Sequence, residues 1–245
     1  MKTILFFVFA RVFTLLGILM VVLLSGCQRF EDMGPFQEET KTYDLRDFTQ
    51  VHIGSASKVT IQRGAVFGVF VRGDRRNLAD LNVRVESGIL KAEYYPYRHK
   101  NRQYRTEFTI TMPALEGVDF SGATISNVGG FENIQKMYVR LSGASEGVVN
   151  IKANEIYIDL SGASRLSGTG TSQKMKADVS GAADLSFFSY PIDEVQISAS
   201  GGSKAKINVS KALHAEASGG SRIRYIGNPP FVNINFSGGS SISRE

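Results

Sequence analysis

The chain contains a single cysteine among its 245 residues, no tryptophan and only six prolines. One cysteine excludes a disulfide within the chain, so packing and hydrogen bonds must stabilise the fold. The scarcity of proline excludes a collagen-like or proline-rich composition. Charge is nearly balanced, with 28 Lys and Arg against 23 Asp and Glu, which argues against a nucleic-acid partner. With 42% hydrophobic residues, the chain is predicted to form a globular core, and no cofactor is expected.

The N-terminus has the layout of a secretory signal, with Lys2 and Arg11 beside an apolar run that ends at Leu24. The residues that follow, Ser25-Gly26-Cys27, complete a stretch that resembles the lipobox of bacterial lipoproteins. That resemblance implies a signal peptide over residues 1–26, cleavage before Cys27 and a lipid anchor on this cysteine. The alternative is a transmembrane helix over residues 4–24, against which the charge of Arg11 argues.

Residues 27–44 are predicted to form an acidic tether between the lipidated cysteine and the folded domain. Glu31 and Asp32 form an acidic pair that resembles the surface-export signal of some Gram-negative lipoproteins. An ordinary solvated linker remains the alternative. The expected location is therefore the bacterial cell envelope, at the outer membrane.

A serine followed by glycine and a small residue occurs seven times, at spacings of 21, 19, 19, 20, 18 and 19 residues. A period near twenty indicates a solenoid. Before each serine, apolar residues alternate with polar ones, as in a strand with one buried face. The sequence therefore predicts an all-β fold over residues 45–245, a parallel β-helix with 19–20 residues per coil. The stretch from Gly73 to Leu81 is predicted to hold a short helical turn.

The repeated triplets are predicted to be structural turns. Glycine tolerates the positive φ of a sharp corner, and the serine hydroxyl can bond a nearby backbone group. A nucleophilic serine would need a histidine partner, but no histidine recurs with the repeat. No enzyme activity is therefore expected. The predicted turn residues are Ser121, Gly122, Ser142, Gly143, Ser161, Gly162, Ser180, Gly181, Ser200, Gly201, Ser218, Gly219, Ser237 and Gly238.

Three stretches resemble the bacterial auto-transporter adhesin "head GIN domain" family. They are "FTQVHIGSASKVTIQRG", "VFVRGDRRNLADLNVRVESGILKAEY" and the run of units like "VDFSGAT". The resemblance covers about residues 45 to 245. It implies a right-handed parallel β-helix on a secreted or lipid-anchored protein, with no established enzyme activity and no catalytic residues to carry over.

Two charged columns follow from the predicted stacking of coils. Four residues after the serines, Glu146, Arg165, Asp184 and Lys204 alternate in sign, which favours the correct register.

In the second column, two residues before the serines, Arg140 is expected to bridge Asp119 and Asp159. Asp159 and Asp178 then stack as like charges that a cation such as calcium could relieve. Two carboxylates are too few to predict a metal site. Polysaccharide cleavage by this pair is a further alternative, resting on fold analogy alone.

Aromatic and basic side chains supply the candidate binding residues. Tyr138 and Tyr157 are expected to stack on adjacent coils, outside the core, where aromatic ladders can hold sugar rings. The segment "YYPYRHKNRQYR" interrupts the strands and is expected to be a loop that could contact an anionic partner. The candidate residues in this loop are Tyr94, Tyr95, Tyr97, Arg98, His99, Lys100, Arg102, Tyr104 and Arg105.

The predicted function is a non-enzymatic envelope lipoprotein that serves in adhesion or ligand binding on a rigid scaffold. A structural or sensory envelope component that binds a protein partner is the alternative. The expected partners are the membrane, through the lipid anchor, and a glycan, an acidic ligand or a protein. Self-association is left open.

Overall fold

The computed structural model describes residues 34–95 and 102–245. The predicted signal peptide and Cys27 lie outside the described residues. The described chain is nearly all β and forms a β-solenoid of about seven turns, which confirms the predicted fold class. In the ranges 34–95 and 102–245, no helix is long and apolar enough to cross a bilayer.

The N-terminal elements are short and lead into longer, regular coils. The first elements are β1 (Glu38–Tyr43), β2 (Gln50–Ile53), β3 (Lys58–Arg63), β4 (Gly68–Asp74), α1 (Arg75–Ala79), β5 (Leu81–Glu86), β6 (Ile89–Tyr94), β7 (Glu107–Met112) and β8 (Gly117–Phe120). They are followed by β9 (Ile125–Leu141), β10 (Glu146–Leu160), β11 (Arg165–Val179), β12 (Asp184–Ala199), β13 (Lys204–Ala217), β14 (Arg222–Ile226), β15 (Phe231–Phe236) and β16 (Ser241–Arg244).

The regular coils stack in parallel, as the repeat predicts, and their register shifts only in the middle of the strands. Strands β9 to β13 pair successively, so each coil lies on the equivalent residues of the next. Ile158, for example, pairs with Val139 on one side and Ala177 on the other, and all three side chains are buried. Alternation along each strand therefore becomes a continuous apolar column that fills the interior.

Stacked glycines form the corners, in the left-handed conformation that the sequence predicts. Gly162 has φ 72°, and a Cβ atom there would lie 2.5 Å from the carbonyl oxygen of Gly143 in the preceding coil. The Ala163 N–H donates to that same oxygen at 2.7 Å. The corner thus has neither the backbone angle nor the space for a side chain.

The hydroxyl that bonds most corners lies three residues after the predicted serine. Ser145 Oγ donates to the Ser142 carbonyl at 2.8 Å, and Ser221 repeats this bond to Ser218. The first serine makes the predicted backbone bond at Ser180, whose Oγ donates to Leu160 O at 3.3 Å. At this position Ala183 has no hydroxyl, and Ser203 instead donates to the Val179 carbonyl. All the residues at this position are buried, namely Thr124, Ser145, Ser164, Ala183, Ser203, Ser221 and Ser240.

The N-terminal elements depart from the parallel pattern. Strand β4 pairs antiparallel with β1 and with β7, and β5 pairs antiparallel with β6. The predicted helical turn is confirmed as α1, which the Asp74 carboxylate caps by accepting from the Arg76 N–H.

Residues 38–43, predicted to belong to the tether, instead form strand β1. The adjoining Gln37 N–H donates to Asp74 at 3.0 Å, and Lys41 Nζ donates to the Leu78 carbonyl. These bonds join the strand to the folded unit, and pairing with β4 satisfies its backbone polar groups, so the described fold starts earlier than residue 45.

Candidate functional site

The exposed side of strand β8 and of the second halves of β9, β10 and β11 carries the candidate site. We call this surface the tyrosine face and define it by Asp119, Tyr138, Arg140, Tyr157 and Asp159. These residues alternate with buried apolar ones, so the pleat that fills the core also directs them outwards. An open cleft of about 540 Å³ lies along this face.

Tyr138 and Tyr157 form an aromatic pair, as the sequence predicts. They are register partners on β9 and β10, and their rings stack with centroids 4.9 Å apart and planes inclined by 16°. Tyr138 is 49% exposed, although it is a large apolar ring. The Tyr157 hydroxyl donates to Glu155 Oε2 at 2.7 Å, and this hydrogen bond raises the Tyr157 pKa. That hydrogen bond fixes the Tyr157 ring, and the Tyr138 ring remains available to a ligand.

A glycine lines the cleft beside Tyr138. Gly117 is the register partner of Tyr138, and Gln50 follows on the next strand. A Cβ atom at Gly117 would lie 3.4 Å from Tyr138 Cβ and 3.4 Å from Gln50 Cγ. The Gly117 backbone does not have positive φ, so its conformation does not require glycine. Gly117 is itself buried and lines the cleft together with Tyr138 and Gln50, so a larger side chain here would have to project into the cleft.

Charged residues line the cleft and are paired with one another. Arg140 Nε lies 3.1 Å from Asp159 Oδ2, and Arg140 Nη1 lies 3.8 Å from Asp119 Oδ2, so the predicted bridge is confirmed. Asp159 and Asp178 are register partners, also as predicted. Within the described ranges, no group of three or more His, Cys, Asp or Glu side chains is placed to hold a metal ion.

His52 adds a neutral polar group to the cleft. It is the register partner of Asp119, and it is half-buried. Burial lowers the His52 pKa, with Lys91 and Arg140 acting in the same direction and Asp119 opposing them. The imidazole is therefore neutral at pH 7, with one nitrogen able to donate and the other able to accept a hydrogen bond.

The described loop residues pack around α1 and are separate from the stacked tyrosines in the fold. The Arg102 guanidinium lies 3.9 Å from the centre of the Tyr94 ring and 3.8 Å from Asp80. The Tyr104 ring contacts Phe36 at 5.1 Å between centroids. These contacts give the loop residues a packing role.

Two other residues of this segment are described. Arg105 donates to the Ala123 carbonyl at 3.1 Å. Tyr95 is 46% exposed. Tyr97, Arg98, His99 and Lys100 lie outside the described residues.

The sequence indicated the two tyrosines but not the rest of the cleft. Gly117 stands four residues before Ser121, in the same column as Tyr138 and Tyr157, so the repeat already placed this glycine in line with the two tyrosines. Gln50 and His52 come from a strand outside the regular repeat, and only the pairing of β2 with β8 brings them to the face.

Comparisons with known proteins agree with the fold. The family model described as "Putative auto-transporter adhesin, head GIN domain" matches residues 47–229. A "putative adhesin" from Bacteroides fragilis superposes with a TM-score of 0.77 at 18% identity, covering 85% of this chain and 97% of that one. A "putative lipid binding protein" from Parabacteroides distasonis gives a TM-score of 0.68 at 16% identity, covering 85% and 97%.

A "putative adhesin" from Parabacteroides merdae gives a TM-score of 0.66 at 16% identity, covering 85% of this chain and 96% of that one. At these identities the solved structures establish the fold alone. No match is found among curated proteins.

Proposed function

Because the chain belongs to the family described as "Putative auto-transporter adhesin, head GIN domain", we propose that it is an exported, non-enzymatic envelope protein that binds saccharides through the tyrosine face. The observation that carries this proposal is the cleft of about 540 Å³ beside the exposed Tyr138 ring, which Gly117 also lines. The B. fragilis and P. merdae relatives, both described as adhesins, support a role in surface binding.

The cleft suits a sugar ring by the chemistry of its walls. Neighbouring strands are about 4.8 Å apart, so Tyr138 and Gln50, one strand on either side of Gly117, are about 10 Å apart at the backbone. Tyr138 provides a flat apolar wall on one side, and Gln50 provides an amide on the other. An aromatic face takes up the C–H surface of a sugar, while amide groups bond its hydroxyls.

The polar rim favours an uncharged ligand. The charge of Arg140 is shared by Asp119 and Asp159, and His52 is neutral at pH 7. These groups offer lone pairs and N–H groups to hydroxyls, and the one negative charge that remains from two aspartates and one arginine repels an acidic ligand. We therefore assign the cleft to a neutral saccharide, in contrast to an acidic one.

The saccharide assignment predicts large losses from two different changes at the cleft. Tyr138→Ala removes the stacking wall and is expected to weaken binding about tenfold, which corresponds to about 1.4 kcal/mol. Gly117→Leu keeps both tyrosines but adds a side chain that must project into the cleft, and it is expected to abolish binding. An array of neutral glycans identifies a ligand, and titration calorimetry of each variant then measures its affinity.

Phe70→Ala is the matched control, because Phe70 is also an exposed aromatic residue, at 52%, but lies on β4. Equal weakening by Phe70→Ala, or wild-type binding that survives Gly117→Leu, would contradict the proposal. Fatty acids are included as probes because of the lipid-binding description of the P. distasonis relative. Turnover of a polysaccharide that is lost in Asp159→Asn would instead favour the enzyme alternative.

We also propose that residues 1–26 are a signal peptide and that Cys27 carries the lipid anchor at the outer membrane. The basic start, the apolar run and the residues before Cys27 support this. Cys27→Ser is expected to abolish the incorporation of radiolabelled palmitate, because the acyl chains would be attached at this cysteine. Immunoprecipitation from labelled cells measures this loss.

A wild-type protein that stays in the membrane fraction without taking up label would contradict the anchor and favour a spanning helix. Lys41→Ser changes a residue of the folded unit and serves as a control that should take up label as the wild type does. Protease treatment of intact cells then tests surface exposure, because only a surface-exposed domain is cleaved without lysis.

A further inference from the structure

The charge alternation along one column of the solenoid breaks at its C-terminal coils. Glu146, Arg165, Asp184 and Lys204 are successive register partners, and Arg165 lies 2.7 Å from Glu146. The next partner of Lys204 is Arg222, so two cations stand directly opposite each other. Alternating signs stabilise the register, but this like-charge step does not.

A second like-charge step lies beside the first. Lys206 and Arg224 are register partners two residues further along the same strands, β13 and β14. With strands about 4.8 Å apart and about 3.3 Å per residue, the four cations form a rectangle of about 5 by 7 Å. We call Lys204, Lys206, Arg222 and Arg224 the basic patch.

Little acidic charge offsets this patch. Arg224 pairs with Glu245 at 2.7 Å, and Lys204 has Asp184 as its register partner on the far side. Among the residues that the structure describes, Lys204, Lys206 and Arg222 form no ion pair within 4.0 Å. Residues 204–245 contain six Lys and Arg against two Glu, so the C-terminal coils are positive overall. A positive surface of this kind attracts anions.

We propose that the basic patch binds an acidic polysaccharide that carries carboxylate or sulfate groups and lies along the solenoid axis. The cations repeat at the coil spacing, so successive acidic groups of a linear polymer meet successive side chains. Ser186 and Ser243 continue the Lys206 column on either side and offer hydroxyls to the sugar.

A polysaccharide fits this surface better than a lipid bilayer does. The large exposed apolar residues of the C-terminal coils, Phe231, Val232 and Phe236, belong to β15 and not to β13 or β14. Phe188, whose ring centre lies 5.8 Å from Lys206 Nζ, is partly buried, so the patch offers little apolar surface that would insert between acyl chains. This site does not depend on the tyrosine face, which is assigned to a neutral ligand.

The test uses the full chain and two probes, dextran sulfate and polygalacturonate, with neutral dextran as the uncharged reference. Lys204→Gln/Arg222→Gln is expected to weaken binding of the acidic polymers at least tenfold. Binding of the wild-type protein should also fall as the salt concentration rises, because salt screens exposed charges. The matched control is Arg165→Gln/Lys174→Gln, which removes the same charge from residues paired with Glu146 and Glu194. It is expected to change binding less than twofold.

Folding is separated from binding by the thermal midpoint of each variant. Removing opposed like charges should leave the midpoint of Lys204→Gln/Arg222→Gln unchanged or raise it. Tyr138→Ala should still bind dextran sulfate, so failure of the neutral-sugar proposal leaves this one standing. Equal weakening in the control, or no binding by the wild type, overturns the proposal. Equally tight, Lys204-dependent binding to anionic phospholipid vesicles also overturns it and assigns the patch to a membrane.

Discussion

Gly162→Ala is expected to lower the free energy of unfolding by about 3 kcal/mol or more, although it adds only one methyl group. Alanine in the left-handed conformation costs about 1–2 kcal/mol, and φ at Gly162 is 72°. The added Cβ would also lie 2.5 Å from the Gly143 carbonyl oxygen. That oxygen already accepts the Ala163 N–H, so relieving the clash disturbs the hydrogen bond between coils.

Gly202→Ala is the matched control for this prediction. Gly202 directly follows the corner glycine Gly201. Its φ is not positive, and a Cβ atom there would lie 3.8 Å from the Gly181 carbonyl oxygen. Other coils carry Ala144 and Ala163 at this position. Gly202→Ala should therefore be neutral or slightly stabilising in urea unfolding. Equal destabilisation by the two substitutions would contradict the prediction, because it would show that the corner position does not specifically require glycine.

Asp74→Ala is expected to cost about 3 kcal/mol, because it removes a buried carboxylate that several donors share. Asp74 is fully buried and accepts from the backbone N–H groups of Gln37 and Arg76. Its Oδ2 also lies 2.6 Å from Arg76 Nη2. The substitution therefore leaves unsatisfied donors, uncaps α1 and detaches the segment that leads into β1.

The Asp74 contribution has a definite pH dependence. Hydrogen bonds from the Arg76 side chain and from backbone N–H groups hold the Asp74 pKa well below its usual range, although burial opposes them. A carboxylate with a lowered folded-state pKa stabilises the fold fully above its unfolded pKa, near 3.9. This stabilisation is lost as the pH falls through and below that value.

Urea unfolding at pH 6, 4 and 3 measures the difference between wild type and Asp74→Ala. The difference should be largest at pH 6 and should shrink at pH 3. Asp44→Ala is the control, because Asp44 also pairs with an arginine, Arg46, but its side chain is 81% exposed. Exposed pairs contribute about 0–1 kcal/mol, so the control should change little. A difference that is constant with pH would contradict the role assigned to the Asp74 charge.

The sequence predicts the regular coils well because one local pattern carries both the strand and the corner. Alternation before Ser161 places Ile158 in the core and Asp159 outside, and the period then fixes which residues stack. The Tyr138–Tyr157 pair and the Arg140 bridge follow from the same period, and both are confirmed.

The pairings of the N-terminal strands could not be predicted from the repeat. Strand β1 pairs with β4, about thirty residues away, and no repeated spacing links them. Acidic residues such as Glu38 and Glu39 suggest a linker until their partner strand is known. His52 reaches the cleft through such a non-repeating pairing. The hydroxyl column represented by Ser145 was visible in the sequence, but only burial shows which serine bonds the corner.

Because the coils stack on one another, distances along the axis of the solenoid change in steps of one coil. The tyrosine face occupies coils near Tyr138, and the basic patch occupies coils near Lys204, so whole coils set their separation along the axis. Duplication or loss of one nineteen-residue unit between them would change that separation in a step of about 4.8 Å while leaving each surface intact. The axial distance between the two surfaces can therefore be changed by repeat number alone.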